Sequence, residues 1–356
     1  MMPKYQRVFL TAIGYELGQV VVSSTELEER LSPVYQQLQL QLGQLEAWTG
    51  ISERRWWQHG VSLSQASILA AKKVLKKAAF DPKDLGALVY GGVCREYFEP
   101  ATACAVADGI GLRGGAFVYD LSNACLGVLN GIIDVANRIE LGQIRAGLVV
   151  SAESAREINE IAMHRLLKGC DMQEFAHSIA TFTGGSGAVA VLLTDGSFAL
   201  PSHSSPKPHR LLGAVSETAP EFHPLCRWGV KTAEPKTGLQ EQFMKTDAVA
   251  VMKNGVQLGL RTWSLLLKHT GWKPDMIDRV VCHQVGQGHQ ESILQTLRIP
   301  KEADFTTFRF LGNMGTAALP ITAAIAEERG VLRNGQRVAF LGIGSGLTCL
   351  MMALEW

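Results

Sequence analysis

An internal repeat constrains the fold of this 356-residue chain more than any other feature of its sequence. Residues 85–91 and 277–283 are both short apolar segments that follow a turn containing aspartate, and they lie 192 positions apart. Residues 131–148 and 324–341 each predict an amphipathic helix, a Gly-Gln turn and a buried strand, at an offset of 193. Two independent matches at nearly the same offset predict two similar halves of about 190 residues.

The apolar pattern predicts strands that alternate with helices, which indicates an α/β fold with parallel or mixed sheets. Strands are predicted at residues 8–13, 85–90, 116–121, 147–152, 188–193, 279–283 and 338–342, and helices at 64–79, 125–141, 156–182, 247–270, 289–297 and 316–329. Residues 196–219 are rich in proline and serine, as loops are, and separate the halves. We therefore expect an N-terminal half at residues 1–200 and a C-terminal half at residues 210–356.

The charge balance of the chain gives no sign of a polyanionic partner. Against 34 lysines and arginines stand 33 aspartates and glutamates, a net charge of +1, which disfavours nucleic acid and anionic membranes as partners. A composition of 47% hydrophobic and 19% charged residues is typical of a globular protein with a large core. Glycines interrupt the most apolar stretch, residues 338–354, which predicts two buried strands around a turn and no membrane span.

The cysteine content indicates a reducing compartment. Seven cysteines, an odd number without a C-x-x-C pair, argue against a disulfide framework and against a zinc ribbon. The apolar run at residues 8–13 is too short for the core of a signal peptide. We therefore expect a cytoplasmic protein.

Cys125 is the first candidate for a nucleophile. Residues 116–121 predict a strand, residues 122–124 a turn, and an apolar-periodic helix follows from residue 126. The thiol should therefore lie near a helix N-terminus, where unpaired N–H groups and the helix dipole favour a thiolate and can bind an oxyanion. From position alone, an ordinary buried cysteine is the alternative.

His283 and Asn313 are the next two candidates. His283 ends a predicted strand, where an α/β sheet places its site, and a glycine-rich loop follows it. The alternatives are a core histidine for His283 and a helix N-cap for Asn313, which precedes a predicted helix. His283 and His289 are six residues apart with no carboxylate between them, so we predict no metal site.

Residues 342–346, with the sequence GIGSG, follow a strand and superficially resemble a dinucleotide-binding loop. The match is weak, because residues 347–356 predict a strand where that motif requires a helix. A tight glycine turn around Ser345, whose backbone amides line a site, is the better interpretation. We predict no bound cofactor.

Taken together, these residues resemble the thiolase-fold condensing enzymes, and most closely the β-ketoacyl-acyl-carrier-protein synthase III branch. The similarity extends almost from end to end of the chain. It lies in residues 49–55 (TGISERR), 120–125 (DLSNAC), 283–284 (HQ), 312–313 (GN) and 344–346 (GSG). The resemblance implies a five-layer αβαβα architecture of two pseudo-equivalent halves, in agreement with the repeat. It also implies a homodimer.

By this resemblance, Cys125 is the nucleophile that accepts an acyl group. His283 and Asn313 would donate hydrogen bonds to the thioester carbonyl of the second substrate as its enolate forms. The backbone N–H groups of Cys125 and Ser345 would form the other oxyanion hole. The chemistry needs these parts, because a thiolate exchanges readily with a thioester and each developing oxyanion needs fixed donors.

Within this family, the sequence is most similar to the condensing enzyme of bacterial long-chain olefin biosynthesis, which joins two fatty acyl-CoA molecules head to head. The similarity rests on residues 95–103, on a long insert at residues 156–182 and on residues 342–347. It implies that Glu99 crosses the dimer interface and acts as the base in the partner's site. From composition alone, a surface glutamate in a loop is the alternative.

The sequence departs from the synthase III pattern in one respect. Gln44 and Trp48 stand where that pattern has a Trp and an Arg that hold coenzyme A. The apolar positions of the insert, which include Ile158, Leu166 and Phe175, are expected to line or cover an acyl channel. The alternative is a pair of packing helices on the surface.

The leading hypothesis is an acyltransferase that performs a Claisen condensation of two fatty acyl-CoA thioesters through an acyl-Cys intermediate. The alternative within the family is decarboxylative condensation with malonyl-acyl-carrier protein, where loss of CO₂ generates the carbanion. A silent binding subunit would not need Cys125, His283 and Asn313, and a hydrolase would need water at the acyl-Cys. Acyl chain length, the carrier of each substrate, and the pathway and its product stay open.

Overall fold

The computed structural model describes residues 4–198, 207–234 and 238–356 of the chain. The strands of this part are β1 (Phe9–Leu17), β2 (Val20–Ser23), β3 (Glu53–Trp56), β4 (Ala87–Gly91), β5 (Phe117–Leu121), β6 (Ala146–Glu153), β7 (Gly187–Thr194), β8 (His209–Thr218), β9 (Cys226–Glu234), β10 (Leu239–Thr246), β11 (Arg279–Cys282), β12 (Arg337–Gly344) and β13 (Thr348–Glu355). Its helices are α1 (Ser24–Arg30), α2 (Ser32–Gln37), α3 (Gln44–Thr49), α4 (Leu63–Ala78), α5 (Thr102–Gly109), α6 (Gly127–Glu140), α7 (Arg156–Leu167), α8 (Met172–Phe182), α9 (Ala248–Thr270), α10 (Gln287–Leu297), α11 (Phe308–Leu311) and α12 (Ala318–Glu328). Strands and helices alternate over most of the chain, which confirms the predicted α/β class.

Nine of these strands form one sheet in the order β11-β12-β13-β8-β1-β7-β6-β4-β5. β1 and β8 meet at only two residue pairs, so this sheet consists of two smaller sheets joined at one edge. The order β1, β7, β6, β4 in the first sheet corresponds to β8, β13, β12, β11 in the second. β5 pairs in parallel with β4, and an isolated parallel bridge between Val280 and Asp304 occupies the same place beside β11. The structure therefore confirms the two similar halves that the repeat predicts.

Three apolar clusters define how the helices cover the sheets. α6 and α12 lie between the two sheets, in a cluster that contains Val149 of the first sheet and Phe340 of the second. α4 and α5 cover the other face of the first sheet, and α9 and α10 cover the other face of the second. The layers are therefore α4/α5, first sheet, α6/α12, second sheet and α9/α10, which confirms the predicted five-layer αβαβα architecture.

Both faces of the first sheet are covered, and this explains the composition of its central strands. Every residue of β6 and of β7 is buried, so these strands are almost continuously apolar and do not alternate. Along β6, Leu148 and Val150 pack toward α4 and α5, whereas Val149 packs toward α6 and α12, because successive side chains point to opposite faces.

A fourth apolar cluster, the cap, lies outside the five layers. It contains the ribbon β2–β3, the helices α1 to α3, and the helices α7 and α8, which are the long insert of the sequence. The hairpin β9–β10 packs against α7 and α8. In the first half α7 and α8 connect β6 to β7, whereas in the second half only a turn of residues 345–347 joins the corresponding strands β12 and β13.

The junction between the halves differs from its prediction. Residues 209–218 form β8, although the composition of residues 196–219 predicts a loop. β8 forms because it pairs along its length with β13 and completes the second sheet. Residues 199–206, which contain most of the prolines and serines of the junction, lie outside the described residues, so the boundary between the halves stays a prediction. No described helix is both long and apolar enough to cross a bilayer.

Candidate active site

The backbone around Cys125 is the strand-to-helix connection that the sequence predicts. β5 ends at Leu121, residues 124–126 form a 3-10 turn, and α6 follows directly. Ala124 has a φ of 45°, in the left-handed region that non-glycine residues rarely adopt. A Cβ on Gly91 would lie 2.6 Å from the carbonyl carbon of Gly127, so only glycine allows the end of β4 to approach the start of α6.

Four of the five predicted site residues line one cavity of about 950 Å³. Cys125 lines it from the first half of the chain, and His283, Asn313 and Ser345 line it from the second half. Residues of the cap, of the hairpin β9–β10, of α9 and of the start of α10 form its other walls. The fold therefore brings these four residues together although they are distant in the sequence.

His283 directly follows β11 and is 5% exposed. Its backbone N–H donates to the carbonyl oxygen of Leu341 at 2.9 Å, which fixes the residue against β12. Burial, with a smaller contribution from His289, lowers the pKa of His283 to about 3. The ring is therefore neutral at physiological pH and carries one N–H with which it can donate a hydrogen bond.

Burial also determines the protonation state of Cys125. It raises the pKa of the Cys125 thiol to about 12, and the charges of Cys226 and Glu153 act in the same direction. Burial therefore opposes the thiolate that the helix N-terminus is expected to favour. The resting residue is a neutral thiol.

The side chain of Asn313 is oriented by its own loop. The Asn313 backbone donates to the Thr183 carbonyl at 2.8 Å and accepts from the Gly185 N–H at 2.9 Å. Its side-chain Oδ1 accepts the Gly315 N–H at 3.1 Å, which leaves the Nδ2 group to donate toward the cavity. α12 begins at Ala318, so Asn313 is not the N-cap of that helix.

Ser345 lies in the turn between β12 and β13. A Cβ on the preceding residue, Gly344, would lie 3.4 Å from the backbone nitrogen of Cys125 and 3.2 Å from Cγ of Leu126. The turn therefore lies against the helix start that carries the thiol. This proximity is what an oxyanion hole formed by the backbone N–H groups of Cys125 and Ser345 requires.

Glu99 is the predicted site residue that does not line the cavity of its own chain. It is exposed in the segment of residues 92–101 between β4 and α5, which we call the Glu99 loop. Its neighbours Phe98 and Tyr97 are 99% and 61% exposed. Adjacent exposed aromatic side chains are typical of a surface that another protein covers.

The insert lines the cavity with one of the apolar residues that the sequence suggests, Ile158, but not with Leu166 or Phe175. Ile158 of α7 and Ile179 of α8 face the cavity. Leu166 and Phe175 are instead buried inside the cap, because they lie on the helix faces that pack within that cluster. Phe175 contacts Trp48, with ring centroids 6.3 Å apart, and Trp48 in turn lines the cavity.

The hairpin β9–β10 supplies a wall of the cavity that the sequence pattern did not lead us to expect. It contributes Trp228, Val230, Phe243 and Met244 among other residues. Apolar residues alternate with others along residues 226–231, which is the pattern of a half-buried strand. That alternation is the signal from which the first strand of the hairpin could have been predicted.

The cavity contains a second thiol, Cys226, and all seven cysteines of the chain are free. Among the residues that the structure describes, no group of three or more His, Cys, Asp and Glu side chains could hold a metal ion. For chemistry, the predicted residues offer a thiol, a neutral imidazole, a primary amide and backbone N–H groups. This set can accept an acyl group and stabilise oxyanions.

The five-layer fold, with a cysteine at the start of one central helix and a histidine and an asparagine lining the same cavity, defines the class of thiolase-fold condensing enzymes. Residues 267–356 match the model of the 3-oxoacyl-[acyl-carrier-protein] synthase III C-terminal domain. The chain is 52% identical to an acyl-CoA:acyl-CoA alkyltransferase of Shewanella oneidensis, over 99% of this chain and 100% of the relative. It is 31% identical to the acyl-CoA:acyl-CoA alkyltransferase of Xanthomonas campestris, over 99% of both chains.

A solved structure agrees with these relatives. A Cys→Ser variant of OleA from Xanthomonas campestris, crystallised with bound lauric acid and lauroyl-CoA, superimposes with a TM-score of 0.89 and 31% identity. The match covers 99% of this chain and 100% of that chain. The protein belongs to the acyl-CoA:acyl-CoA alkyltransferase family, which confirms the resemblance found in the sequence.

Proposed function

We propose that this protein is an acyltransferase that joins two fatty acyl-CoA molecules head to head into a β-keto product. The observation that carries this proposal is that Cys125, His283, Asn313 and Ser345 all line one cavity of about 950 Å³. A cavity of that size can hold acyl chains beside the reacting groups. The names of the full-length relatives, and the lauroyl-CoA in a related structure, support coenzyme A thioesters as both substrates.

In the first half-reaction, the sulfur of Cys125 attacks the carbonyl carbon of one acyl-CoA. The carbon–sulfur bond to coenzyme A breaks, the thiol proton passes to the departing coenzyme A thiolate, and the acyl group stays on Cys125. The backbone N–H groups of Cys125 and Ser345 stabilise the oxyanion of the tetrahedral intermediate. Because burial holds Cys125 as a thiol, its proton leaves as the new bond forms.

In the second half-reaction, a base removes an α-proton from a second acyl-CoA, and the resulting carbanion attacks the acyl-Cys125 carbonyl. The neutral ring of His283 and the Nδ2 group of Asn313 donate hydrogen bonds to the enolate oxygen. The Cys125 thiolate then leaves and recovers a proton, and a β-ketoacyl-CoA remains. The neutral ring of His283, with its pKa lowered to about 3, serves as a hydrogen-bond donor, so a separate group must remove the α-proton.

We assign this base to Glu99 of a second copy of the chain, in a homodimer. Glu99 does not line the cavity of its own chain, and its exposed loop is free to enter the cavity of a partner. Covering Tyr97 and Phe98 in the interface would contribute to association. Burial in the interface strengthens a carboxylate as a base.

Decarboxylative condensation with malonyl-acyl-carrier protein is the alternative within the class. It needs no base, since loss of CO₂ generates the carbanion. The matching domain model describes synthases that use a carrier protein, but it covers only residues 267–356. End-to-end relatives carry both names: two acyl-CoA:acyl-CoA alkyltransferases are 52% and 31% identical to the chain, whereas a β-ketoacyl-[acyl-carrier-protein] synthase III is 26% identical. The higher identities favour the head-to-head reaction.

The two half-reactions can be tested separately in wild type, Glu99→Ala and the isosteric control Glu99→Gln. Each protein is first incubated with a labelled fatty acyl-CoA, the adduct is mapped by peptide mass spectrometry, and a second unlabelled fatty acyl-CoA is added. We expect all three to carry the label on Cys125 and only wild type to release the β-keto product. Equal product from wild type and Glu99→Ala, or product only from a malonyl thioester with release of CO₂, would overturn the proposal.

A further inference from the structure

A buried carboxylate at the cavity raises the pKa of the Cys125 thiol but has been given no role in either half-reaction. Glu153 ends β6, is 3% exposed and lines the same cavity as Cys125. Its Oε1 accepts the N–H of Val93 at 3.0 Å, and its Oε2 accepts the N–H of Cys94 at 3.1 Å. Both carboxylate oxygens are thus engaged by consecutive backbone N–H groups, an arrangement that specifies the backbone conformation at those two residues.

Val93 and Cys94 lie at the N-terminal end of the Glu99 loop, which we call its first shoulder. The carbonyl oxygen of Cys94 also lies 2.9 Å from the Tyr90 hydroxyl, whose single proton it shares with the carbonyl oxygen of Ala152 at 2.8 Å. Tyr90 belongs to β4 and is fully buried in the sheet. The first shoulder is therefore held by two side chains that are themselves fixed in the core.

The second shoulder of the Glu99 loop is held in a similar way. The carboxylate of Asp120 in β5 accepts the N–H groups of Thr102 and Ala103, each at 2.9 Å. Between the shoulders, Phe98 and Glu99 are exposed. The loop therefore has two fixed ends and a projecting tip, and the ends determine where the tip points.

We propose that Glu153 is a positioning residue that fixes, through the Glu99 loop, the direction in which Glu99 leaves its own chain and enters the partner's cavity. The inference rests on the proposed function and on the homodimer within it. Glu153 lines the cavity of its own chain, but it would then serve the reaction in the cavity of the partner. The same side chain also contacts the Asn313 loop, since a Cβ on Gly315 would lie 3.1 Å from Cδ of Glu153. A role within its own cavity is therefore the outcome to be distinguished.

Mixed dimers distinguish these two roles. One chain carries Cys125→Ala and the other carries Glu99→Ala, so neither homodimer condenses and the mixed dimer has a single complete site. In that site, the Glu99→Ala chain supplies Cys125 and the cavity, whereas the Cys125→Ala chain supplies Glu99. Glu153→Gln is then introduced into one chain or into the other, and condensation of two fatty acyl-CoA molecules is measured.

We expect condensation to fall by about tenfold or more when Glu153→Gln is on the chain that supplies Glu99, since a base displaced by about 1 Å loses much of its effect. On the chain that supplies Cys125, the same substitution removes a charge that raises the pKa of the thiol, so the condensation rate should not fall. Both preparations contain one Glu153→Gln per dimer, so general damage to folding affects them equally. Ser151 is also a buried polar residue of β6, so Ser151→Ala is the matched control. It should leave the condensation rates of both preparations unchanged.

Loss only when Glu153→Gln shares the chain with Cys125 would assign Glu153 to its own cavity and overturn the proposal. Equal loss in both preparations would indicate a structural role and would also overturn it. If the mixed dimer without Glu153→Gln does not condense, the assignment of Glu99 to the partner's site is wrong and this inference is wrong with it. That result differs from the other two, in which the unsubstituted mixed dimer is active.

Discussion

The central helices of the two halves, α6 and α12, begin with the same backbone conformation but present side chains with different roles. A 3-10 turn of residues 124–126 leads into α6, and a 3-10 turn of residues 315–317 leads into α12. Each turn begins with a residue in the left-handed region, Ala124 with a φ of 45° and Gly315 with a φ of 53°. The second residue of the turn is Cys125 in the first half and Thr316 in the second.

These two side chains have different surroundings. Thr316 is 1% exposed, and its hydroxyl oxygen accepts the N–H of Val128 at 2.7 Å, so it satisfies an otherwise unpaired N–H in the first turn of α6. Cys125 lines the cavity instead. The difference indicates that the repeat supplied one helix start twice, and that a chemical role is available only where the side chain faces a cavity and not a neighbouring helix.

The largest effect on activity is expected from removal of the Cys125 thiol at the start of α6. We expect Cys125→Ala to lose acylation and condensation by about 10⁴-fold or more, because the covalent step has no replacement. Intact-protein mass spectrometry after incubation with a fatty acyl-CoA measures the acylation. An adduct that forms on Cys125→Ala at the wild-type rate, for example on Cys226, would contradict this prediction.

Removing the donors contributed by the second half should have the next largest effect. His283→Ala and Asn313→Ala should lower condensation by about 10²–10³-fold and leave acylation within about threefold of wild type, because they stabilise the enolate of the second substrate. Adduct formation and product release are timed in separate assays of the same preparation. If either substitution abolishes acylation in a folded protein, the assignment of these residues to the second half-reaction is wrong.

The ionisation of the Cys125 thiol with pH tests whether burial or the helix start determines its protonation state. Since the pKa of Cys125 is raised to about 12, its thiolate fraction should increase about tenfold for each pH unit between pH 6 and 10, without a plateau near 9. The rate of alkylation by iodoacetamide, followed by peptide mass spectrometry, reports that fraction. The unfolded chain ionises first as pH rises above about 9, so this thiol should lower the free energy of unfolding there. A plateau of alkylation between pH 8 and 9 would mean that the start of α6 stabilises the thiolate.

The smallest effect is expected from substitution of Thr316, the residue at the start of α12 that corresponds to Cys125. Thr316→Val leaves the buried N–H of Val128 without its acceptor and should lower the free energy of unfolding by about 1–2 kcal/mol. Thr316→Ser keeps the oxygen and is the control. Urea denaturation measures the stability, and the acylation rate of both variants should stay near wild type. Loss of acylation at unchanged stability would show that the second helix start also has a chemical role.

The elements of the five layers were predictable because they leave regular patterns. Continuous apolar runs such as β6 follow from burial on both faces, and amphipathic helices such as α6 follow from burial on one side. β8 was missed because it exists by pairing with β13, and no local pattern of the chain specifies that partner. The same limit applies to Leu166 and Phe175, since apolar spacing predicts a buried helix face but does not identify its neighbour.

The sequence predicted which residues form the candidate site, but not their burial or their protonation states. Cys125, His283 and Asn313 could be named from their positions at element ends and from the resemblance. The protonation state of Cys125 could not, because it depends on burial that only the folded chain defines. Glu153 was not singled out, although an acidic residue at the end of an apolar strand is a visible signal.

The pairing of β1 has a consequence for the time course of folding. β4, β5 and β6 are joined through nearby helices and can associate early, whereas Phe9 of β1 pairs with Thr194 and must wait for most of the first half. Pairings between distant residues are slow to form, because the intervening chain must be ordered first. The β12–β13 turn contacts the helix start at Cys125 from still farther along the chain. A refolding chain should therefore recover most of its helical signal well before it recovers the ability to accept an acyl group.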